Sequence, residues 1–485
     1  MSREVLRGCE KIRMLKYKSI FKKSMDRDQK FRLKPAQILV LGFFIVILLG
    51  SVLLNLPIAS NKGESVGFVN AIFTSTSAVC VTGLVVVNTL EQWTLFGKTV
   101  IILLIQIGGL GFMTLATAIF IIMGKRITLR ERLVIQEAWN QYSLSGMVRL
   151  IKNILIGTLL VEGVGAFFLA LRFIPMYRNK GIVWGIYLSV FHSISAFCNA
   201  GFDLIGVENL TPFQGDLLVN VIIMGLIILG GLGFTVWLDV IYKTKKKIDE
   251  NRPWKQWFYS LTLHTKLAMV LTMALIIVGF LFFVVAEWDN PGTLANTGIK
   301  NKVLGALFQS VTTRTAGFNT IPLDKMKEAS KFLTIILMFI GGSPAGTAGG
   351  VKTVTVGVIF LTVLSVIKGK QRTEVFHRSI PFDVIRKALA VMMISLGVVI
   401  SVTMLLTISE NVSFMDAFFE ATSAFGTVGL TLGITPNLTN FGKIIIAITM
   451  FIGRLGPVTM ALAFSLKQRQ NPVDIKLPEE RVMVG

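Results

Sequence analysis

Four short stretches hold the residues whose types and spacing could do chemistry. They are Cys80-Val81-Thr82-Gly83-Leu84, Cys198-Asn199-Ala200-Gly201-Phe202, Arg314-Thr315-Ala316-Gly317-Phe318 and Gly426-Thr427-Val428-Gly429-Leu430. Their glycines stand 118, 116 and 112 residues apart. Glycine admits left-handed backbone dihedrals that other residues resist. Carbonyls lined up by such a backbone can replace the hydration shell of a small cation. Each stretch is followed 24 to 29 residues later by a second cluster: Gly108-Gly109-Leu110-Gly111-Phe112, Gly230-Gly231-Leu232-Gly233-Phe234, Gly341-Gly342-Ser343-Pro344 and Gly453-Arg454-Leu455-Gly456-Pro457. Four matches at near-constant spacing mark a fourfold internal repeat. The chemistry they suggest is coordination of an ion by backbone, with no reactive side chain required.

The elements that must position these segments are legible in the hydropathy. An apolar run begins at Ala36 and reaches Pro57; others of spanning length recur near 98–123, 150–171, 216–240, 264–287, 331–367, 384–408 and 443–465. Shorter apolar stretches near 68–79, 186–198, 303–313 and 414–425 suit re-entrant helices that enter the bilayer without crossing it. The chain thus reads as an all-α membrane protein. It has four tandem helix–pore loop–helix repeats, with eight transmembrane helices and four re-entrant half-helices around a central pore. Each half-helix would point its carbonyl end at the membrane centre, where the negative end of the helix dipole favours a cation. The 331–367 run is expected to be broken by Gly341-Gly342-Ser343-Pro344-Ala345-Gly346-Thr347-Ala348-Gly349-Gly350. Such a break must be buried in protein or line water.

Composition agrees. Of 485 residues, 53% are hydrophobic and 16% charged, with mean hydropathy +0.69, against about 25% charged in a soluble chain. That excludes a soluble enzyme, a secreted disulfide scaffold and a disordered regulator. The net charge of +22 reads as topology here, so no nucleic-acid partner is expected. Of 49 Lys and Arg, 35 lie in 1–34, 124–152, 241–266, 368–387 and 466–485. The positive-inside rule makes these segments cytoplasmic, with both termini inside. The sparse Cys9, Cys80, Cys198, His192, His264 and His377 show no metal spacing. A membrane-embedded enzyme would need converging catalytic groups. A sodium-coupled carrier of organic substrates would need inverted repeats, whereas every first helix here starts on the same side.

The chain resembles the membrane subunits of the Trk/Ktr/HKT potassium transporters over about residues 37–465, on the four Gly-bearing segments together with the Gly341–Thr353 break. It is most similar to the Ktr type, because no extra helix pair precedes the first repeat. The resemblance implies potassium uptake that is sodium-stimulated in Ktr members, and a homodimer in a bacterial cell membrane. It also implies a cytosolic nucleotide-binding regulatory ring as partner. Potassium is then substrate, sodium a possible second ion, and no organic cofactor belongs to this chain. Carried over by position, the selectivity filter is Val81, Thr82 and Gly83; Asn199, Ala200 and Gly201; Thr315, Ala316 and Gly317; and Thr427, Val428 and Gly429. Glycine in all four repeats goes with potassium selectivity in that family. The alternative is a sodium-permeable or less selective relative, which serine at Gly83 would promote. The domains expected are a basic tail 1–36, repeats at 37–123, 150–240, 264–367 and 384–465, and a cytoplasmic tail 466–485.

The family places an intramembrane gating loop at about 341–353, so Gly341, Gly342, Ser343, Pro344, Gly346, Thr347, Gly349 and Gly350 are gate candidates. A kink for close helix packing is the structural alternative. Lys352 is read either as part of the gate or as a snorkelling lysine. Arg454 lies inside a membrane run, where a charge is costly and usually functional. It is expected to act as a barrier or latch below the filter, and its structural alternative is an ion pair with Glu420 or Glu162. Glu420 is expected to cap filter amides, and Arg314 to brace the third segment.

Overall fold

A computed structural model describes residues 35–464 except 112, 118–122, 124–146, 207–208 and 251–252. The basic tail 1–34 and the C-terminal segment 466–485 lie outside the described residues. The first helix, α1 (Pro35–Asn55), buries Leu39, Phe43, Ile47 and Leu54 along one stripe, while Leu41, Phe44, Ile45 and Leu49 are exposed. An apolar face turned away from the protein belongs against lipid. The same inverted pattern marks α4 (Met147–Met176), α9 (Leu263–Glu287) and α13 (Phe382–Ser409), all long and apolar enough to cross a membrane.

Each of these long helices is followed by a shorter buried one: α2 (Phe68–Cys80), α5 (Ile182–Phe197), α10 (Ile299–Thr312) and α14 (Phe414–Gly426). A third set follows in turn: α3 (Leu95–Leu110), α6 (Leu217–Leu232) continued by α7 (Phe234–Asp249), α11 (Glu328–Phe339) with α12 (Thr353–Ile367), and α15 (Asn440–Leu455) with α16 (Pro457–Phe464). Between α7 and α9 lies the short α8 (Trp254–Ser260). A two-residue antiparallel pair, β1 (Glu374–Val375) with β2 (Arg378–Ser379), joins α12 to α13 in the register Glu374 to Ser379. Side-chain caps start several helices, with Thr94, Asp216, Thr262, Ser413 and Thr439 each accepting from an amide of the first turn.

The short helices occupy the centre. Each packs on the long helix before it, and the third-set helices link one short helix to the next: α3 to α5, α6 to α10, α11 to α14, and α15 back to α2. The circuit closes. In three sets a serine of the short helix donates to a carbonyl of the long one: Ser75 to Ile47 O, Ser193 to Glu162 O and Ser310 to Ile276 O. In the fourth set that position is Ala421.

Three further apolar runs are interrupted as well, at glycines with positive φ. Gly111 follows α3 with φ 79°, Gly233 separates α6 from α7 with φ 90°, and Gly456 separates α15 from α16 with φ 84°. A residue in that region cannot continue a right-handed helix. Among the described residues, four helices are therefore long enough to span unbroken, and the α6–α7 pair, bent by 96°, makes a fifth if counted as one. The clusters also provide close packing: a Cβ on Gly108, Gly230 or Gly453 would lie 1.9 Å from the carbonyl oxygen of Val79, Phe197 or Phe425.

Candidate functional site

The four Gly-bearing segments begin where the central short helices end. Val81, Asn199, Thr315 and Thr427 all have positive φ, at 57°, 59°, 70° and 49°. The local cause in three segments is a Schellman-type helix end, and in the third segment Ala316 N–H donates to Thr312 O at 3.0 Å. Thr82 N–H donates to Ser77 O, Ala200 N–H to Ser195 O and Val428 N–H to Ser423 O, each at 2.8 Å. Two residues on, Gly83, Gly201, Gly317 and Gly429 have φ of 92°, 68°, 78° and 92°.

These glycines meet one another. A Cβ on Gly83 would lie 2.4 Å from Ala200 O, on Gly201 2.9 Å from Ala316 O, on Gly317 2.6 Å from Val428 O, and on Gly429 2.2 Å from Thr82 O. The segments thus close a ring in chain order, with a carbonyl of the middle residue at every junction. At the helix-proximal position of the ring, the side chains of Asn199, Thr315 and Thr427 are buried with no hydrogen-bond partner among the described residues, as is Thr82 Oγ1. Buried polar atoms left without a protein partner are costly unless water or an ion supplies one.

Hydroxyls that sequence reading passed over hold the ring. Gly83 N–H donates to Ser77 Oγ and Gly429 N–H to Ser423 Oγ, both at 3.1 Å. In the other two segments the hydroxyl donates instead: Ser195 Oγ to Phe202 O at 2.7 Å and Thr312 Oγ1 to Phe318 O at 2.5 Å. The available signal was a Ser or Thr five or six residues before each glycine. Ser423→Ala leaves the Gly429 amide unpaired, a loss of about 1–3 kcal/mol. The expected result is a lowered melting temperature in detergent, with Ser423→Thr largely restoring it.

Residues 341–352 lie against the helix-proximal side of the ring. A Cβ on Gly349 would sit 2.1 Å from Thr427 Oγ1, and Gly350 packs on Gly426. The loop closes on itself through Gly341 N–H to Val351 O and Thr353 N–H to Gly342 O, with the Ser343 and Thr353 hydroxyls paired at 3.1 Å. It is also stitched to the α6–α7 break by Ser343 N–H to Gly231 O, Thr347 N–H to Gly230 O and Phe234 N–H to Ala345 O. Thr347 Oγ1 reaches Phe197 O, at the end of α5, at 3.1 Å. Lys352 turns back into the loop, its Nζ donating to Ala348 O at 2.5 Å.

Arg454 spans the loop and the first set of helices. Its Nη1 donates to Thr347 O, and its Nη2 to Gly108 O and, at 3.2 Å, to Gly109 O. The expected ion-pair alternative is corrected, because neither Glu162 nor Glu420 is its partner. Glu162 accepts from Gln106 Nε2 at 3.2 Å. Glu420 accepts from the hydroxyls of Thr431, at 2.8 Å, and Thr435. Glu420 therefore braces the segment that leaves the ring and caps no amide. The carbonyls Arg454 uses lie at the end of α3 and in the loop, where fewer helical donors compete for them, and Gly108 O also accepts from Gly111 N–H at 3.3 Å. Arg314 approaches the loop from the third set: its Nη2 lies 3.5 Å from Gly341 O, while its Nη1 has no partner among the described residues, beside a void of about 10 Å³ shared with Thr272 and Gly342.

His192 is fixed by two backbone contacts, its Nδ1 at 2.8 Å from Leu188 O and its Nε2 accepting from Leu204 N–H at 3.3 Å. Cys80 and Cys198 are buried free thiols. In the loop leaving the second segment, Asp203 accepts from the amides of Ile205 and Gly206 and from Asn209 Nδ2. Burial pushes its carboxyl up to about 6 against those stabilising donors.

The chain has known counterparts in sequence and fold. Residues 14–473 match the model of the family described as TrkH, cation transport protein. The chain is 44% identical over 454 residues to the Ktr system potassium uptake protein B of Bacillus subtilis, covering 94% of this chain and 97% of that protein. It is 40% identical over 466 residues to the potassium/sodium uptake protein NtpJ of Enterococcus hirae, covering 95% and 99%. The crystal structure of the potassium transporter TrkH from Vibrio parahaemolyticus superposes with a TM-score of 0.65 at 18% identity, over 88% of this chain and 85% of that one.

Proposed function

The chain belongs to the TrkH family of cation transport proteins, and on that footing we propose that it carries potassium into the cell through its four Gly-bearing segments. It is a transporter and not an enzyme. The observation that carries the reading is the closed ring of left-handed segments, with Thr82, Ala200, Ala316 and Val428 carbonyls at its junctions. Those backbone oxygens, with the hydroxyls of Thr315 and Thr427, exchange for the ion's water shell. The carboxyl ends of α2, α5, α10 and α14 add their partial negative charge. The four triplets 81–83, 199–201, 315–317 and 427–429 are then the filter of four pore repeats. The membrane potential supplies the drive, about 2.3 kcal/mol per charge at 100 mV.

In this reading residues 341–353 are the gate, supported by the contact of Gly349 with Thr427. Arg454 is the latch that ties the gate to the first and fourth repeats. A homodimer, stimulation by sodium and control by a cytosolic nucleotide-binding ring complete the proposal. They rest on the likeness to Ktr system proteins, with the basic segments on the cytoplasmic side of a bacterial membrane. The less selective alternative draws on the name of the Enterococcus hirae relative, and glycine at all four positions weighs against it. Expression with a Ktr regulatory subunit should restore growth at low potassium to a bacterium lacking its own uptake systems. Failure to restore growth, with the protein present in the membrane, would count against potassium uptake.

A further inference from the structure

Phe234 and Trp237 at the start of α7 pack on Phe197, but the rest of the α7–α8 segment is built for a different environment. α7 leaves α6 through a 96° bend, so it cannot run along the direction of that span. Its middle is pinned in depth. The Asp239 carboxylate accepts from Thr262 N–H at 2.9 Å, Thr262 Oγ1 at 3.0 Å and Thr265 Oγ1 at 2.7 Å. Thr262 is the N-cap of α9, one of the long apolar helices, so α7 lies at the level where that helix enters the bilayer.

Past Asp239 the helix is sorted by face. Trp237 packs inward on Phe197 and Phe234, Ile241 and Ile248 continue its stripe beyond the protein core, and Lys243, Lys246 and Lys247 lie on the other side. Ile241 and Ile248 are 62% and 71% exposed, which would be wasteful in water. α8 folds onto α7 through Trp257 Nε1 donating to Thr244 Oγ1 at 3.1 Å, and the Lys247 ammonium stands 3.0 Å from the Trp254 ring centre. Trp254, Tyr242 and Tyr259 remain exposed beside the lysines. Exposed aromatics, exposed isoleucines and lysines at the mouth of a spanning helix match the headgroup layer, with rings at the interface and ammonium groups among phosphates.

We propose that the α7–α8 hairpin is a docking surface for anionic lipid in the leaflet where α9 begins. Its apolar stripe rests at the acyl boundary, and Lys243, Lys245, Lys246 and Lys247 hold headgroup phosphates. Charge complementarity favours lipid: four lysines in five positions outweigh Asp249 and Glu250, even with Lys246 3.7 Å from Glu250. The proposal is independent of what the ring conducts.

Tryptophan quenching in the reconstituted full chain tests it, with brominated phosphatidylglycerol compared against brominated phosphatidylcholine. The native chain should be quenched more by the anionic lipid. The K243Q/K245Q/K246Q/K247Q variant should lose that preference, by about fivefold in relative affinity for each lysine at low salt. Its quenching by phosphatidylcholine should be unchanged, which reports normal insertion. In W254F/W257F the lipid-specific part of the quenching should disappear. Equal quenching by both lipids in the native chain would overturn the proposal, as would a preference that survives all four substitutions. So would a variant that keeps its lipid preference but no longer responds to a nucleotide-loaded regulatory ring, since the surface would then belong to a protein partner.

Discussion

Gly317→Ser will lower the potassium-over-sodium permeability ratio about tenfold, a change of about 1.4 kcal/mol in relative barrier. Two costs meet at this position. The backbone has φ 78°, where a side chain costs about 1–2 kcal/mol. A new Cβ would also lie 2.6 Å from Val428 O and 3.0 Å from the Gly201 Cα, so one of the ring carbonyls must move. A displaced carbonyl coordinates a dehydrated potassium ion less well, while a smaller ion that keeps part of its water shell is less affected. Gly63 provides the control, with φ 69° but nothing within 4 Å of its Cβ. Gly63→Ser shares the backbone strain and should leave selectivity unchanged. The ratio is read from reversal potentials, with both variants recovered folded and membrane-inserted. An unchanged ratio in Gly317→Ser would remove the filter assignment.

Arg454→Gln is expected to raise resting potassium flux about tenfold or more in the absence of any regulatory subunit. The guanidinium holds Thr347 O of the loop and the Gly108 and Gly109 carbonyls at once. Charge-assisted bonds of this kind contribute about 1.5–3 kcal/mol each. Losing the one to Thr347 O of the loop, about 1.5–3 kcal/mol, shifts a closed-to-open equilibrium by about a factor of ten or more. Arg454→Lys keeps the charge without the two-pronged donor and should fall between the two. Melting in detergent separates a latch from a structural brace. A latch gives higher flux at a modest loss of stability, whereas a brace gives lower flux and a collapse of the transition.

Much of this was legible because the signals are periodic. Long and short apolar runs alternate with glycine clusters, and their spacing alone puts Gly83, Gly201, Gly317 and Gly429 on equivalent elements. The left-handed Val81, Asn199, Thr315 and Thr427 were not legible, since nothing in those residue types calls for positive φ. It is imposed by the way the preceding helices end. The breaks at Gly111 and Gly233 were hidden because their flanks stay hydrophobic, unlike the ten-residue run at 341–350, whereas Gly456 carried a signal in the adjacent Pro457. For Arg454 only the ion-pair alternative fails, and the reason is physical. A buried charge suggests an acidic partner, and sequence cannot show that carbonyl oxygens at a helix end and in a loop stand within its reach. Glu420 misled in the same way, because the amide of Gly429 had already been taken by Ser423.

Potassium and sodium flux through the purified protein in liposomes, at a fixed voltage, tests the central claim most directly. The native chain is compared with a deletion of Gly346–Gly349. Potassium-selective flux that rises on deletion is the predicted result, since the ring keeps its carbonyls while the loop beneath it is shortened. Equal potassium and sodium flux in both forms, or no cation flux in either, would contradict it.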